Sequence, residues 1–379
     1  MNRASQLAAW ADQDPLNPIL LCDLLDELLI HGLADEASAR LAATPESVRH
    51  LPGARFREAR CALMRGDAHA AINVLQPLMD CPGEVPAGVG HDLAYAQFVV
   101  GQYDRALQTL AAVHGQAGDA EALALLKARI LHRQQKVDAA LEALARIDAD
   151  WCSRAAEVEG LRALLWLDAG DLAQAGACAD KALGVDPDQH EAGIVRGTLA
   201  LWSQQLDESA VVLERVVALH PESGRAWLGL GQVQMLRGNV PAARAWLERS
   251  VHTMPDHIGT WHALAWCQLL EGDLAGAKHS FDKAFALDRT FGETHGGFAL
   301  VYALRGERKE AEESIKRAIR LDSQGRSARY AQSILLLDEG RTDEARAIVE
   351  TILDRTPGLG GAVSADFIFR LRDLVQPRS

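Results

Sequence analysis

The chain has 379 residues, of which 48% are hydrophobic, 24% charged and 5% aromatic. That balance belongs to an ordinary folded protein rather than a disordered one, and the length exceeds what one compact core usually fills. The formal net charge of −13 lacks the basic footprint of a general nucleic-acid binder, and the longest apolar stretches fall well short of the roughly 20 residues that cross a bilayer.

The first eighteen residues, MNRASQLAAWADQDPLNP, carry Asp12 and Asp14 and no apolar signal core. This argues against export by a signal peptide and for a cytoplasmic protein. Residues 3–13 predict a short capping helix. From Gly32 a hexamer then recurs: GLADEA, GDAHAA from Gly66, GQYDRA from Gly101, QKVDAA from Gln135 and GDLAQA from Gly170. It continues as QQLDES from Gln204, GNVPAA from Gly238, GDLAGA from Gly272, GERKEA from Gly306 and GRTDEA from Gly340. Successive anchors lie 34 or 35 residues apart, the length of a pair of antiparallel helices.

Fixed offsets from the anchor give each unit its physics. The anchor glycine ends a first helix, because a left-handed C-terminal residue is cheapest without a Cβ. Ala71, Ala106, Ala175, Ala243, Ala277 and Ala311 open the contact face of a second helix. Seven residues before the anchor, Ala94, Ala128, Ala163, Gly197, Gly231, Ala265 and Ala299 let the two axes approach closely. Nine residues after it, Leu75, Leu110, Leu144, Leu213, Leu247, Phe281 and Ile315 fill the space between units. Pro187, Pro221, Pro255 and Pro357 stop second helices, while Pro241 falls in a first turn, where its missing N–H is harmless. The predicted fold is all-α, with hairpins stacked into a solenoid.

Irregularities mark the joints. The segment Asp80–Gly90 is the richest in Gly and Pro and is a candidate hinge; His114–Ala120 is a second loose joint. Trp151 and Cys152 replace the expected stop after the fourth unit. Near the end, Ser364 can cap a helix through Phe367, Leu371 and Leu374 that would cover the last unit.

Catalytic and metal-binding motifs are missing from the sequence. It holds no GxxxxGK[ST], HExxH or GxSxG pattern, and no room remains outside the repeats for a catalytic domain, so the chain reads as non-enzymatic. Cys22, Cys61, Cys81, Cys152, Cys178 and Cys267 form no CxxC pair and read as reduced thiols. His252, His257 and His262 recur at five-residue steps that do not share a helix face, so no metal is expected there, and no cofactor is expected anywhere. The cluster Gly292–Gly297 lacks the strand that precedes a phosphate loop; its glycines instead admit another backbone or a ligand. Arginine outnumbers lysine strongly, which together with abundant alanine and glycine points to a GC-rich bacterial origin.

The repeat resembles the tetratricopeptide family. Trp227, Leu230, Gly231, Ala243, Leu247 and Pro255 match its pattern in order, followed by Trp261, Leu264, Ala265, Ala277, Phe281 and Ala284. The resemblance implies about ten repeats over residues 18–357 in a right-handed superhelix, with an N-terminal capping helix in 1–17 and a C-terminal capping helix and tail in 358–379. It implies a scaffold or adaptor that binds protein or peptide partners in the groove lined by first helices, with no nucleic acid and no membrane insertion. A peptide- or small-ligand-responsive regulator, or an accessory subunit of a secretion, envelope or glycan-assembly complex, are the alternatives.

In that family, positions ten, six, three and two before the anchor face the groove. Carried onto this chain, they select Arg60, His91, Tyr95, Arg129, His132 and Arg133 toward the N-terminal half. Toward the C-terminal half they select Leu201, Trp202, Leu228, Met235, Leu236, His262, Trp266, Leu269, Leu270 and Leu300. The first set would hold carboxylates of a partner by charge-assisted hydrogen bonds, unless local acids such as Asp92 or Glu58 engage it. Trp202, Met235 and Trp266 would form an apolar groove, unless they belong to the core between units. The lysine–asparagine clamp of chaperone-binding members is not matched. Trp227 and Trp261 are assigned to the core.

Overall fold

The computed structural model of the chain describes residues 3–80, 87–113, 120–145, 147 and 153–354. The regular structure among these residues is helical, in twenty-two helices. Backbone contacts gather into two units, residues 1–169 and 170–379. The first unit holds α1 (Arg3–Gln13), α2 (Pro18–Ile30), α3 (Ala34–Ala43), a single turn α4 (Glu46–Arg49), α5 (Pro52–Met64) and α6 (Ala68–Met79). It continues with α7 (Ala87–Val99), α8 (Tyr103–Val113), α9 (Ala120–Arg133), α10 (Val137–Ala145) and α11 (Ala155–Ala169). The second holds α12 (Leu172–Val185), α13 (His190–Trp202), α14 (Leu206–Leu219), α15 (Gly224–Leu236), α16 (Val240–Thr253) and α17 (Ile258–Leu270). It ends with α18 (Leu274–Leu287), α19 (Gly292–Leu304), α20 (Arg308–Leu321), α21 (Arg326–Asp338) and α22 (Thr342–Asp354). Residues 81–86 of the expected hinge, Trp151 and Cys152, Pro357 and the expected C-terminal capping helix lie outside the described residues.

Each hairpin turns where the sequence places its anchor. The eight anchor glycines all have φ between 74 and 84°, and Gln135 and Gln204 take the same left-handed conformation at 62 and 61°. Where aspartate follows the glycine, it caps the next helix: Asp67, Asp171 and Asp273 accept from the N–H of Ala70, Gln174 and Gly276. The Gly-Asp dipeptide thus ends one helix and begins the next. The prolines stop second helices as their chemistry demands. Helices α12, α14 and α16 end two residues before Pro187, Pro221 and Pro255, and Pro241 lies in the first turn of α16.

Close approach of the helices rests on missing side-chain atoms. A Cβ at Gly197 or Gly231 would lie 2.5 Å from Leu213 or 2.6 Å from Leu247. The facing Ala71, Ala106, Ala175, Ala243, Ala277 and Ala311 are all completely buried. The glycines of α19 act in two directions. Gly297 accommodates the Phe281 ring, while a Cβ at Gly296 would lie 2.7 Å from the backbone nitrogen of Ala328 on α21. No ligand is needed to explain that glycine cluster, because neighbouring helices fill the space.

Two periodic hydrogen bonds join successive repeats. At one position, Nε1 of Trp227 and of Trp261 donates to the carbonyl of Pro221 and of Pro255, each at 2.7 Å. Trp227 is buried as expected, covered by the stacked Trp246 ring and the Arg249 guanidinium, whereas Trp261 is only half-buried at the margin of the cluster around Leu247. The second is a strap made by the residue just before the anchor, which reaches one repeat back. Arg65 donates to Ser38, Gln134 to Asp104 and Arg305 to the Leu274 carbonyl, while Arg237 pairs with Asp207. Glu271 with Arg244, and Glu339 with Arg308, repeat the arrangement with the charges exchanged. After the fourth hairpin, the half-buried Arg162 donates to the carbonyls of Leu144 and Ile147 at 2.7 and 2.9 Å, and pairs with the buried Glu159. It takes up backbone acceptors at the end of α10, where no proline stop is present.

Candidate functional site

In the first unit, three consecutive first helices present the same two positions. Six residues before the anchor stand Arg60 on α5, Tyr95 on α7 and Arg129 on α9; Arg60 is exposed, Tyr95 is 43% exposed and Arg129 is half-buried. Two residues before it stand Met64 and Val99, at 48 and 52% exposure, and the exposed Arg133. Side chains at equal offsets on stacked helices form two lanes, one cationic and aromatic, the other apolar and ending in a cation.

Local acids engage part of the cationic lane. Asp92 lies with one oxygen 3.1 Å from Arg60 Nε and the other 3.0 Å from His91 Nδ1. The Arg60 contact is charge against charge, because that oxygen accepts no directed hydrogen bond. The guanidinium also stands 5.4 Å over the Phe56 ring. Glu58, the other acid considered from sequence, pairs with Arg55 instead. His132 Nε2 lies 2.6 Å from Asp168 on α11. Of the six N-terminal candidates, Arg60, His91 and His132 are engaged by carboxylates.

The second unit departs further from expectation. Trp202, the last residue of α13, is 47% exposed, and Leu236 and Leu270 at the same offset are half-buried. Met235 is half-buried and packs on a core cluster that includes Ala243 and Leu247. Trp266 is half-buried, packs on the cluster around Phe281 and meets Tyr330 edge-on, with ring centroids 5.7 Å apart. Leu201, Leu269 and Leu300 do not line a groove: each is buried. Leu201 and Leu269 are covered within their packed repeats. Leu300 is covered because the small residues of α19 let α21 pack directly against it.

His262 is half-buried. Its Nε2 lies 2.8 Å from Thr294 Oγ1, and its ring meets Phe281 and Phe291 edge-on at 5.3 and 5.4 Å. Burial pushes its pKa down to about 4, against a small opposing pull from Glu293. The other two histidines of the series are separate from it: His257 caps α17 through Nδ1, and His252 is exposed. Among the described residues no group of three or more His, Cys, Asp or Glu is placed to hold a metal ion. Cys22, Cys61, Cys178 and Cys267 are free thiols, and Cys81 and Cys152 lie outside the described residues. No helix among the described residues is long and apolar enough to cross a membrane.

From sequence, Asp92 is named as an acid that could engage the cationic set, and Asp168 is not. Asp92 meets Arg60 as well as the neighbouring His91, the local engagement considered from sequence. Asp168, 36 residues after His132, is one repeat on in the groove-facing series. Its position alone could have flagged it.

Helix hairpins at this period define a helical-repeat protein, a class built for interaction scaffolds. The family comparison agrees. The tetratricopeptide repeat model matches residues 194–257 and 297–359, and those two segments are tetratricopeptide repeats. Among solved structures, the chain is similar to the APC/C hetero-tetramer Cut9–Hcn1 at a TM-score of 0.57 and 15% identity, over 99% of this chain and 84% of that one. It also matches MamA at a TM-score of 0.36 and 21% identity, over 42% of this chain and 93% of that one. YrrB, described as a TPR protein with an unusual peptide-binding site, matches at 0.37 and 23% identity, over 45% of this chain and 88% of that one. The first of these likenesses shows the fold alone. No curated protein matches the chain.

Proposed function

We propose that this chain is a non-catalytic, cytoplasmic scaffold that holds segments of partner proteins on the faces built by its first helices, and that the two units take chemically different segments. The observation that carries the proposal is the pair of lanes on α5, α7 and α9. Met64 and Val99 leave large apolar surface in water at equal offsets on neighbouring helices, with Tyr95 four residues from Val99 on the same helix, beside Arg60, Arg129 and Arg133. Scattered exposed apolar residues need no explanation, but a register-matched row of them is the signature of a contact surface. Such a face suits a segment with both carboxylates and apolar side chains, since arginine pairs well with carboxylates and the apolar lane supplies desolvated contact.

In the second unit, Trp202, Leu236, Leu270 and the open edge of Trp266 make a face without arginine at those positions, which suits an uncharged apolar segment. The test is recovery of partners from native extract with the wild-type chain, an Arg129→Glu/Arg133→Glu variant and a Trp202→Ala variant. A partner held by the first unit is lost with the charge reversal and kept by Trp202→Ala, and the converse holds for the second. Equal recovery by all three chains rejects the assignment of these faces.

A further inference from the structure

The second helices of the second unit carry a charge pattern on their open side. Eleven residues after each anchor stands an exposed cation: Lys181 on α12, Arg215 on α14, Arg249 on α16, Lys283 on α18 and Arg317 on α20, at steps of 34 residues. One position earlier stand exposed acids, Asp180, Glu214, Glu248 and Asp282, with Lys316 the exception on α20. Successive helix positions lie about 100° apart, so the two series run as parallel stripes of opposite charge along the flanks of a ridge. The crest between them is small on α12, α14 and α18, where it carries Gly184, Ala218 and Ala286; α16 and α20 carry His252 and Arg320 there. One turn beyond the cations, Val185, Leu219, Leu287 and Leu321 are 66, 51, 39 and 43% exposed, a register-matched apolar row.

Part of each stripe is engaged within the chain. Arg215 lies 2.6 Å from Asp188, Arg249 stands over the Trp227 and Trp246 rings, and Asp180 is 3.8 Å from Arg196. Glu248 accepts from Arg244, and Asp282 from Lys278. Among the described residues, Lys181, Glu214, Lys283 and Arg317 have no hydrogen-bond or ion-pair partner. A surface with parallel stripes of opposite sign complements itself when turned about an axis along the stripes, since each acid stripe then meets the other copy's cations. Turned about an axis across them, like charges meet. We infer that this ridge is an interface between two copies of the chain, packed face to face and parallel, so that each repeat meets its own counterpart. The small crest lets the ridges approach, and the partner's flank withdraws the apolar row from water. The net charge of −13 on each chain opposes association only at long range; at physiological ionic strength fields fade over about 8 Å, so the groups in contact decide.

Sedimentation equilibrium of the full chain at physiological salt reads the association, and the wild type is expected to dimerise. A Lys181→Glu/Lys283→Glu/Arg317→Glu variant and an Asp180→Lys/Glu214→Lys/Asp282→Lys variant are each expected to self-associate at least about tenfold more weakly, equivalent to about 1.4 kcal/mol. Mixed in equal amounts, the two are expected to regain a dimer, because one ridge is then mainly acidic and the other mainly basic. A wild type that stays monomeric to about 100 μM overturns the inference, as does a dimer that both variants keep. A second measurement leaves the charges alone. Ala218→Cys and Ala286→Cys chains, oxidised separately, are each expected to form a disulfide-linked dimer above the level of the wild type, since parallel copies bring both crest positions together. Cross-linking at only one of the two positions, or at neither, overturns the parallel interface.

Discussion

Gln135 and Gln204 stand where the other eight anchors carry glycine, and both are held at a φ that L-residues avoid. The fold imposes the left-handed turn there regardless of the side chain. Gln135→Gly is expected to stabilise the chain by about 1 kcal/mol, read as a rise in the urea midpoint. The opposite holds at Gly231, where Gly231→Ala drives a Cβ to 2.6 Å from Leu247 and is expected to cost about 1–3 kcal/mol. His262 supplies a pH dependence. Its folded pKa is about 4 against an ordinary 6.5, so between those values the unfolded chain binds the extra proton. Its contribution is intact above about pH 6.5 and is lost as the pH falls toward 4, by at most about 3 kcal/mol. Thermal melts of His262→Phe are expected to lose that part of the slope. The two tryptophans offered from sequence as groove residues separate on the same kind of measurement. Trp266→Ala opens the packing against Tyr330 and is expected to cost about 2–3 kcal/mol, whereas Trp202→Ala leaves the melting temperature nearly unchanged.

Helix ends were legible wherever one residue type has a single physical use. Glycine at the anchor, aspartate after it and proline at the end of the second helix are each enforced by the backbone, so α12, α14 and α16 end where their prolines require. Less legible were elements whose ends depend on distant partners. The turn α4 between α3 and α5 carries no anchor of its own. The close of α10 depends on Arg162, a residue eighteen positions after Leu144. Arg162→Ala removes two backbone caps and leaves the buried Glu159 carboxylate without its cation. The expected cost is about 3 kcal/mol, seen as faster amide exchange at the end of α10. The straps between repeats are mostly exposed pairs and contribute little singly, under about 1 kcal/mol each. Their regular recurrence ties one hairpin to the preceding one.

At the scale of the molecule, contacts that cluster into two units mean that stability is built locally, from each repeat and its neighbours. Trp202, Trp227, Trp246, Trp261 and Trp266 all fall in the second unit, against Trp10, Trp151 and Trp166 in the first. Tryptophan fluorescence therefore weights the second unit, while circular dichroism weights all helices. The two urea transitions are expected not to coincide; superposition of both curves with one slope would show a single cooperative unit instead.

The amino-acid sequence by itself determined the helix pairing, the period and the turn at each anchor, because left-handed glycines, blocking prolines and small packing residues act on the backbone within one repeat. It also offered, by offset alone, a set of first-helix positions as candidates for meeting a partner. Only the tertiary structure decided which of those residues remain open. Whether Arg60 meets Asp92, whether His262 meets Phe281 and Phe291, and whether Leu300 is covered by α21 depend on how closely neighbouring repeats pack. That distance is set by atoms more than thirty residues apart: the missing Cβ of Gly296 lets the backbone of Ala328 approach and closes over what the offsets alone would leave exposed.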